Sequence, residues 1–542
     1  MPAVTNGRQK GKQLMGKSCS GVCEKRQKIV RILTYFYLVP LAAMVIFNTG
    51  NSMLRTTYFE LYRDMETAKY KWDQPFLILM AFGVLLLLMY LIRKAKWFVG
   101  LSHFLWLAVI FAGAISAFIV LTVRGTAICD GGTLSDIAIE FMKNNYETLT
   151  EGGYLFNYSF QIGMVALLEA LYRVFGVENY LVFQLINVVS IMIFIWMLGK
   201  ITDEVFEEER ISRMEAVLSM GMLPLFLFST FVYGDVIGWA FGISAIYFVI
   251  RYLRTDRWQF VLAASALISL GIIVKSNINI LAVAAGIAIL LNAIYKKRLQ
   301  ALVWIAVLAV FSQLGIGIVQ TVYAHRAGLS EYPKGIPKIA WVAMSMQETD
   351  EGGYACGWYN GYNWVVYSEN GYDRAETAQA CMDNLKESLQ KLIHEQKYAL
   401  NFVYKKFTSQ WNAPTFQAMI SNEWSTRHTD KTTPLAHYFI FEAGHDILYE
   451  LMNIYHFFLF FCTSAFFLLD RGKWSLPKAY FVLNIFGGFL FHMIWEAQSR
   501  YILGYFVLML PPAACGCERL LSCIENKIAL KAVKKEKNNE TA

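Results

Sequence analysis

Asp130 stands in the stretch Ala127-Ile128-Cys129-Asp130-Gly131-Gly132-Thr133-Leu134-Ser135-Asp136, directly after an apolar run that ends at Val123. An acid at a membrane helix centre costs about 2.5–3.5 kcal/mol on insertion scales, so such residues tend to mark a pathway or a site. The two glycines let the backbone bend and a substrate come close. A carboxylate there suits a general base for a hydroxyl, a role worth about 10²–10⁴ in rate. The competing reading is a helix cap, and Ser135 or Asp136 fills that role before Ile137 equally well.

Three further corners carry charge between apolar windows. Asp235, in Tyr233-Gly234-Asp235, either caps the next helix or faces a substrate. Lys275, in Val274-Lys275-Ser276, meets no structural need of an apolar helix; it either snorkels to headgroups or binds a phosphate. Glu496 and Arg500 are four apart, the spacing of a pair across one helical turn, and the alternative is an arginine fork gripping a phosphate. The segment Gly357 to Trp364 adds an aromatic cluster in which Trp358 and Tyr359 offer faces for sugar rings, or else form an interfacial belt. Acids, a lysine and an arginine at membrane corners suggest a lipid substrate bearing phosphate.

The elements that must hold these residues are membrane helices. The sequence is 56% hydrophobic and only 17% charged along nearly its whole length, which is a polytopic membrane composition. About 20 apolar residues cross a bilayer, and windows of that kind recur about twelve times. They run Ile29–Asn48, Gln74–Ile92, Phe98–Val123, Tyr180–Leu198, Met214–Phe231, Val236–Leu253, Phe260–Val274, Asn277–Ile294, Ala301–Tyr323, Ile447–Leu469, Ala479–Trp495 and Tyr501–Cys517.

Lys and Arg collect in the N-terminal arm, in Arg93-Lys94-Ala95-Lys96, from Arg251 through Arg257, in Lys296-Lys297-Arg298, from Arg471 through Lys473, and in the tail. These are alternate loops, so they predict cytoplasmic termini, an uncleaved start, and an opposite face that carries every corner named above. This sorting accounts for the net charge of +8 and requires no nucleic-acid partner. Residues 136–176 read as two short amphipathic helices along the outer interface. The stretch Ala324–His445 reads as a small outer domain with a helix over Arg374–Gln396. The expected organisation is a basic arm with three spans (1–123), a catalytic outer loop (124–179), a transmembrane core (180–323), an aromatic-rich outer segment (324–445), three closing spans (446–517) and a basic tail (518–542). Cys19 and Cys23 are too few for a zinc site. Cys129, Cys356 and Cys381 all fall outside, where one pair is bridgeable and the sequence does not choose which. A divalent ion near Asp130 and Asp235 is compatible with the acids, but no ligand spacing demands one.

The quoted stretches carry a resemblance. "CDGGTLSDIA" followed by "GGYLFNYSFQIGMVALLEALYRVFG" resembles the first outer loop of the GT-C glycosyltransferase superfamily, in its protein O-mannosyltransferase and aminoarabinose-transferase branch as found in Gram-positive bacteria. Asp130, Ala138, Tyr158, Gly163, Phe175 and Gly176 match that pattern. "FVYGDVIGWAFGISAIYFVIRYL" resembles the second acidic corner, "LGIIVKSNINIL" the lysine corner, "GWYN" a piece of the outer domain, and "WEAQSRYILGYFVLMLPPAACG" the closing span. Two positions depart: the Glu that often follows the first Asp is Gly131, and the Pro of the outer turn is Ser159. The first departure weakens any carry-over of acceptor or metal contacts made by that pair and leaves the Asp130 match intact.

The resemblance implies an all-α GT-C bundle in a bacterial plasma membrane with an extracytoplasmic site. It implies a polyprenyl-phosphate-linked sugar as co-substrate and an inverting transfer to a hydroxyl of a cell-envelope glycan, lipid or protein. Asp130 is then the base, Lys275 and Arg500 hold the leaving phosphate, and Asp235, Tyr158 and Glu496 orient donor or acceptor. A single displacement needs no carboxylate nucleophile, unlike retaining hydrolysis. Two other classes compete: a lipid or glycan transporter, for which midplane sites and internal repeats are expected and no clear repeat is found, and a non-catalytic assembly protein of the same fold.

Overall fold

The computed structural model describes residues 6–62, 65–95, 104–348, 355–427, 429–472 and 474–540. The start of the window Phe98–Val123, and Lys96 and Lys473 of the basic loops, lie outside the described residues. Lipid offers peptide groups no water, so apolar windows close their hydrogen bonds internally as helices. Helix α1 (Asn6–Leu54) leads into a hairpin of β1 (Arg55–Tyr62) and β2 (Met65–Trp72), then α2 (Pro75–Lys94) and α3 (Phe104–Val123). Two helices too short to cross follow, α4 (Cys129–Met142) and α5 (Ile162–Phe175). Next come α6 (Tyr180–Phe206), the bent pair α7 (Glu209–Ser219) and α8 (Leu223–Leu227), α9 (Asp235–Thr255), α10 (Gln259–Val274), α11 (Asn279–Lys296) and α12 (Ala301–Arg326). A lobe with α13 (Arg374–His394), α14 (Gln396–Trp411) and α15 (Ala418–Thr426) precedes α16 (Ala443–Leu469), α17 (Leu476–Ile494), α18 (Ser499–Val507) and α19 (Leu510–Glu540).

Among the described residues, eight helices are long and apolar enough to cross a membrane, and up to ten spans result if each bent pair counts as one. This corrects the expected twelve. The windows Met214–Phe231 and Tyr501–Cys517 break into helix pairs bent by 50° and 53°. Helix α10 has only 16 residues, and α17 carries Lys478, Asn484 and His492 along its length. The fold is otherwise the expected all-α membrane bundle. The helix expected over Arg374–Gln396 ends at His394 and is capped by the Asp373 side chain. Helix α4 begins at Cys129, so Ser135 and Asp136 lie inside it instead of capping it; Ser135 bonds Tyr172 and Tyr180. Cys129, Cys356 and Cys381 are unbridged.

The strand pair was not anticipated from the sequence. Alternation in "RTTYFELY" and "METAKYKW" places Thr57, Phe59 and Leu61 opposite Tyr70, Ala68 and Glu66, on one face. That face docks on the lobe: Thr57 N donates to Asn412 O (2.9 Å), Thr57 Oγ1 to Thr408 O (3.1 Å), and the Phe59 ring packs on Trp358 at 5.1 Å. The lobe has its own small core of Ile336, Ala340, Trp341, Met344, Val366 and Tyr367, against which Tyr158 and Trp495 pack.

At the other end of the bundle the basic loops meet acids: Arg93 pairs with Glu518 and Glu525, Arg251 with Glu204, and Lys296 with Asp256. At the end that carries the corners, the turns before α9 and after α10 touch backbone to backbone. A Cβ on Gly234 would lie 1.9 Å from the Val274 carbonyl oxygen, so only glycine lets these turns close. Gly234→Ala must push them apart, at a cost of about 1–3 kcal/mol. Its melting temperature in detergent should fall clearly below wild type. Gly317→Ala, where nothing lies within 4 Å of the added carbon, should be neutral or slightly stabilised.

Candidate active site

A cavity of about 1410 Å³ opens where these corners meet. Asp130, Asp235 and Arg500 each sit in the first turn of a helix, α4, α9 and α18, while Lys275 ends α10 and Glu496 lies in the turn after α17. Helix N-termini favour negative charge, which suits the two aspartates. Arg500 occupies such a terminus against that preference. At Cys129 the backbone takes φ +49°, turning the extended Ile128 into the helix that carries Asp130. Asp130, Lys275, Glu496 and Arg500 line the one cavity together with Tyr158, Trp358 and Tyr359, so the structure brings together residues separated by hundreds of positions.

The charges are not equivalent. Lys275 Nζ lies 2.9 Å from Asp235 Oδ1 and 3.0 Å from Oδ2, over the rings of Tyr233 (4.4 Å) and Tyr501 (4.9 Å). The side chains are only 10% and 12% exposed, and burial of either charge without the other would be costly. Arg500 forms no ion pair with a carboxylate among the described residues. Its Nε donates to Gln498 Oε1, its backbone N–H to Gln417 Oε1 (3.0 Å), and its guanidinium lies among the rings of Phe231, Tyr233 and Tyr501. The turn-spanning Glu496–Arg500 pair expected from their spacing does not form, because the helix starts at Ser499, after Glu496. Glu496 Oε1 instead accepts from Tyr501 Oη at 3.2 Å.

Asp130 Oδ1 accepts from Tyr154 Oη at 2.9 Å. Tyr158 and Tyr359 share a hydrogen bond of 2.8 Å between their hydroxyls. Of the two residues expected to stack on sugars, Tyr359 is 39% exposed and Trp358 only 4%. The Trp358 indole N–H donates to Ser409 Oγ, so this ring builds the wall while Tyr359 stays partly exposed. Among the described residues no group of three or more His, Cys, Asp or Glu is placed to hold a metal ion.

The cavity also contains groups that were not singled out in the sequence. Glu66 reaches it from β2, with Oε2 accepting from Gln417 Nε2. Tyr154, Gln161 and Tyr233 line it as well, and Gln161 donates to the Tyr233 hydroxyl. The signal for Glu66 in the sequence is the period-two alternation within Arg55–Tyr62 and Met65–Trp72, the pattern of a hairpin. Neutral tyrosines and glutamines leave no such mark. From the site one wall runs on as an apolar groove made by Val283 and Ile287 of α11, Ile316 of α12, and Leu490 and Ile494 of α17. Val283, Ile287, Leu490 and Ile494 are exposed on the outside of the helix bundle.

Burial pushes the Glu66 carboxyl above its usual range, against the opposing pull of Arg500 and the Gln417 hydrogen bond. Burial also raises Glu496, to about 7, with Arg500 opposing and Asp130 adding. Between the ordinary 4.5 and about 7 the native chain therefore holds a proton that the unfolded chain has lost, and stability falls as pH rises through that window. The full effect is roughly 3 kcal/mol. Glu496→Gln should leave the melting temperature unchanged near pH 4.5 and raise it relative to wild type at pH 8. The same difference at both pH values would show that Glu496 does not titrate in this range.

Residues 162–316 match the family described as dolichyl-phosphate-mannose-protein mannosyltransferase. That segment holds the Asp235 and Lys275 corners and the α11 wall of the groove, while Asp130, Glu496 and Arg500 flank it. No curated protein matches the chain. Together with the apolar helices on both sides of the matched segment, this supports the resemblance carried by the residues: residues 162–316 are similar to membrane glycosyltransferases of the GT-C superfamily.

Proposed function

We propose that the protein moves a sugar from a polyprenyl-phosphate donor to a hydroxyl acceptor with inversion, at the extracytoplasmic face of a bacterial plasma membrane. The observation that carries this reading is a single cavity that joins an apolar groove to an arginine with no carboxylate partner among the described residues and to a carboxylate. The groove between α11, α12 and α17 suits the isoprenoid chain. Arg500 suits the phosphate, because a half-buried guanidinium among aromatic rings gains most from an anion that can take two of its N–H groups. Lys275 adds positive charge, but Asp235 already balances it, so its pull on a phosphate is the weaker of the two. The Lys and Arg sorting between loops supports the assignment of faces and of cytoplasmic termini.

In the transfer, the oxygen of Asp130 that Tyr154 leaves free takes the proton of the acceptor hydroxyl. The hydroxyl oxygen forms a bond to the anomeric carbon as the bond from that carbon to the phosphate oxygen breaks, and polyprenyl phosphate leaves with the electron pair. Arg500 faces the charge that grows on the phosphate. Tyr154 holds the Asp130 carboxylate in place, and Tyr158, Asp235 and Glu496 shape the surroundings in which donor and acceptor meet. A transporter reading is less favoured, since the charges gather at one end of the bundle and not at mid-height.

Asp130→Asn keeps shape and removes the basic oxygen, so sugar transfer should fall by about 10² or more with donor binding and folded yield nearly unchanged. Arg500→Ala should raise the concentration of donor needed for half-maximal rate by about tenfold or more, the order of a lost charge-assisted hydrogen bond. Titration of polyprenyl-phosphate mannose against each purified variant checks both. Full activity in Asp130→Asn removes the base, and an unchanged donor dependence in Arg500→Ala removes the phosphate site.

A further inference from the structure

Among the described acids that line the cavity, Glu66 is the one that the proposed transfer leaves without a role. It arrives from the hairpin, far in sequence from every other charged group of the site, and it lines the same space as Asp130. The two acids are near enough for Glu66 to feel the charge of Asp130, with Arg500 acting on Glu66 in the opposite sense. Each has one oxygen engaged by the protein: Tyr154 Oη donates to Asp130 Oδ1 and Gln417 Nε2 to Glu66 Oε2. The second oxygen of each is unclaimed among the described residues.

The mount of Glu66 is rigid. The same hairpin face is tied to α14 through Thr57, and the Asn412 side chain donates to the Arg55 carbonyl. Gln417, which holds Glu66, also accepts from Ser499 Oγ (3.2 Å) and from the Arg500 backbone N–H, so one amide fixes the acid relative to the arginine. A second acid cannot come from the position after Asp130. A Cβ on Gly131 would lie 2.4 Å from the Val232 carbonyl oxygen, which closes that direction to any side chain.

A carboxylate repels a donor's phosphate and attracts hydroxyl donors, whose hydrogen bonds to a charged acceptor are worth about 1.5–3 kcal/mol each. Rings beside the pair suit a carbohydrate. Tyr359, Trp341 and Trp424 line the same cavity, and Trp341 stacks on Trp495 with ring centroids 6.0 Å apart. Building on the transfer proposed above, we infer that the acceptor is a polyol, and that Glu66 accepts a hydrogen bond from a hydroxyl neighbouring the one deprotonated by Asp130. Glu66 then selects sugars and related polyols over acceptors with a lone hydroxyl, such as a serine side chain.

The test is a cycle between protein and acceptor. Full-length protein in detergent is given polyprenyl-phosphate mannose and, as acceptor probes, methyl α-mannoside, its monodeoxy analogues and a serine-containing peptide. Removing one particular hydroxyl of the mannoside should raise the acceptor KM of wild type about tenfold. Glu66→Gln should raise the acceptor KM for the parent mannoside by a similar factor, leave the donor KM within twofold, and no longer distinguish parent from that deoxy probe. Glu66→Asp, which keeps the charge, should lie between and serves if the Gln variant folds poorly. Undiminished discrimination in both variants overturns the inference, as does wild-type transfer to the peptide with none to the mannosides. A fall in kcat of about 10² at unchanged acceptor KM would make Glu66 the base and overturn it as well. Failure of wild type to consume the donor with any probe sinks the glycosyltransfer reading itself, whereas normal consumption with Glu66 indifferent sinks only the role of Glu66.

Discussion

The ion pair of Lys275 and Asp235 is the interaction on which the site depends. Two helices end in apolar surroundings with a charge each, and neither charge is tolerable there alone. Gly234 allows the two turns to come into backbone contact, and the pair then closes across the gap under the rings of Tyr233 and Tyr501. With these turns fixed, Tyr233 meets Gln161, the Val232 carbonyl meets Gly131 of the Asp130 helix, and Tyr501 brings in Glu496. The acids and bases of five separate segments thus share one cavity because a pair at its back neutralises itself.

That self-neutralisation also divides labour among the cations. A lysine matched by an aspartate has little field left for a ligand, whereas Arg500 is held by amides and aromatic faces that orient it without cancelling its charge. A fixed guanidinium with no directly bonded carboxylate among the described residues interacts strongly with negative charge that develops beside it. The rise of Glu496 to about 7 fits the same picture: burial drives this acid toward its neutral form, which leaves Arg500 the less opposed at neutral pH.

Isolated charges in apolar surroundings were legible in the sequence because lipid makes them conspicuous. Asp130, Asp235, Lys275, Glu496 and Arg500 stood out on that ground, and the structure places all five around one cavity or directly behind it. Their pairing was not legible. The four-residue spacing of Glu496 and Arg500 suggested a pair only if both lay on one helix, and the helix begins between them. Nor could the reading separate Asp130 from Asp136 as the start of a helix, since Cys129 opens it with an unusual backbone angle. Glu66 does not stand out in the sequence, because it sits on a hairpin of eight-residue strands between two spans that carries no apolar run. The span count was too high for a related reason: windowed hydropathy does not register a bend inside an apolar stretch, and two of the windows contain one.

The groove, Arg500 and Asp130 form the proposed path only if a lipid phosphate lies beside the Arg500 guanidinium. A cryo-electron-microscopy structure of the purified protein with polyprenyl phosphate decides this most directly. The phosphate should lie within hydrogen-bond reach of the Arg500 guanidinium, with the isoprenoid chain running along α11, α12 and α17. A phosphate bound elsewhere, with the chain absent from that groove and Arg500 unchanged, would contradict it.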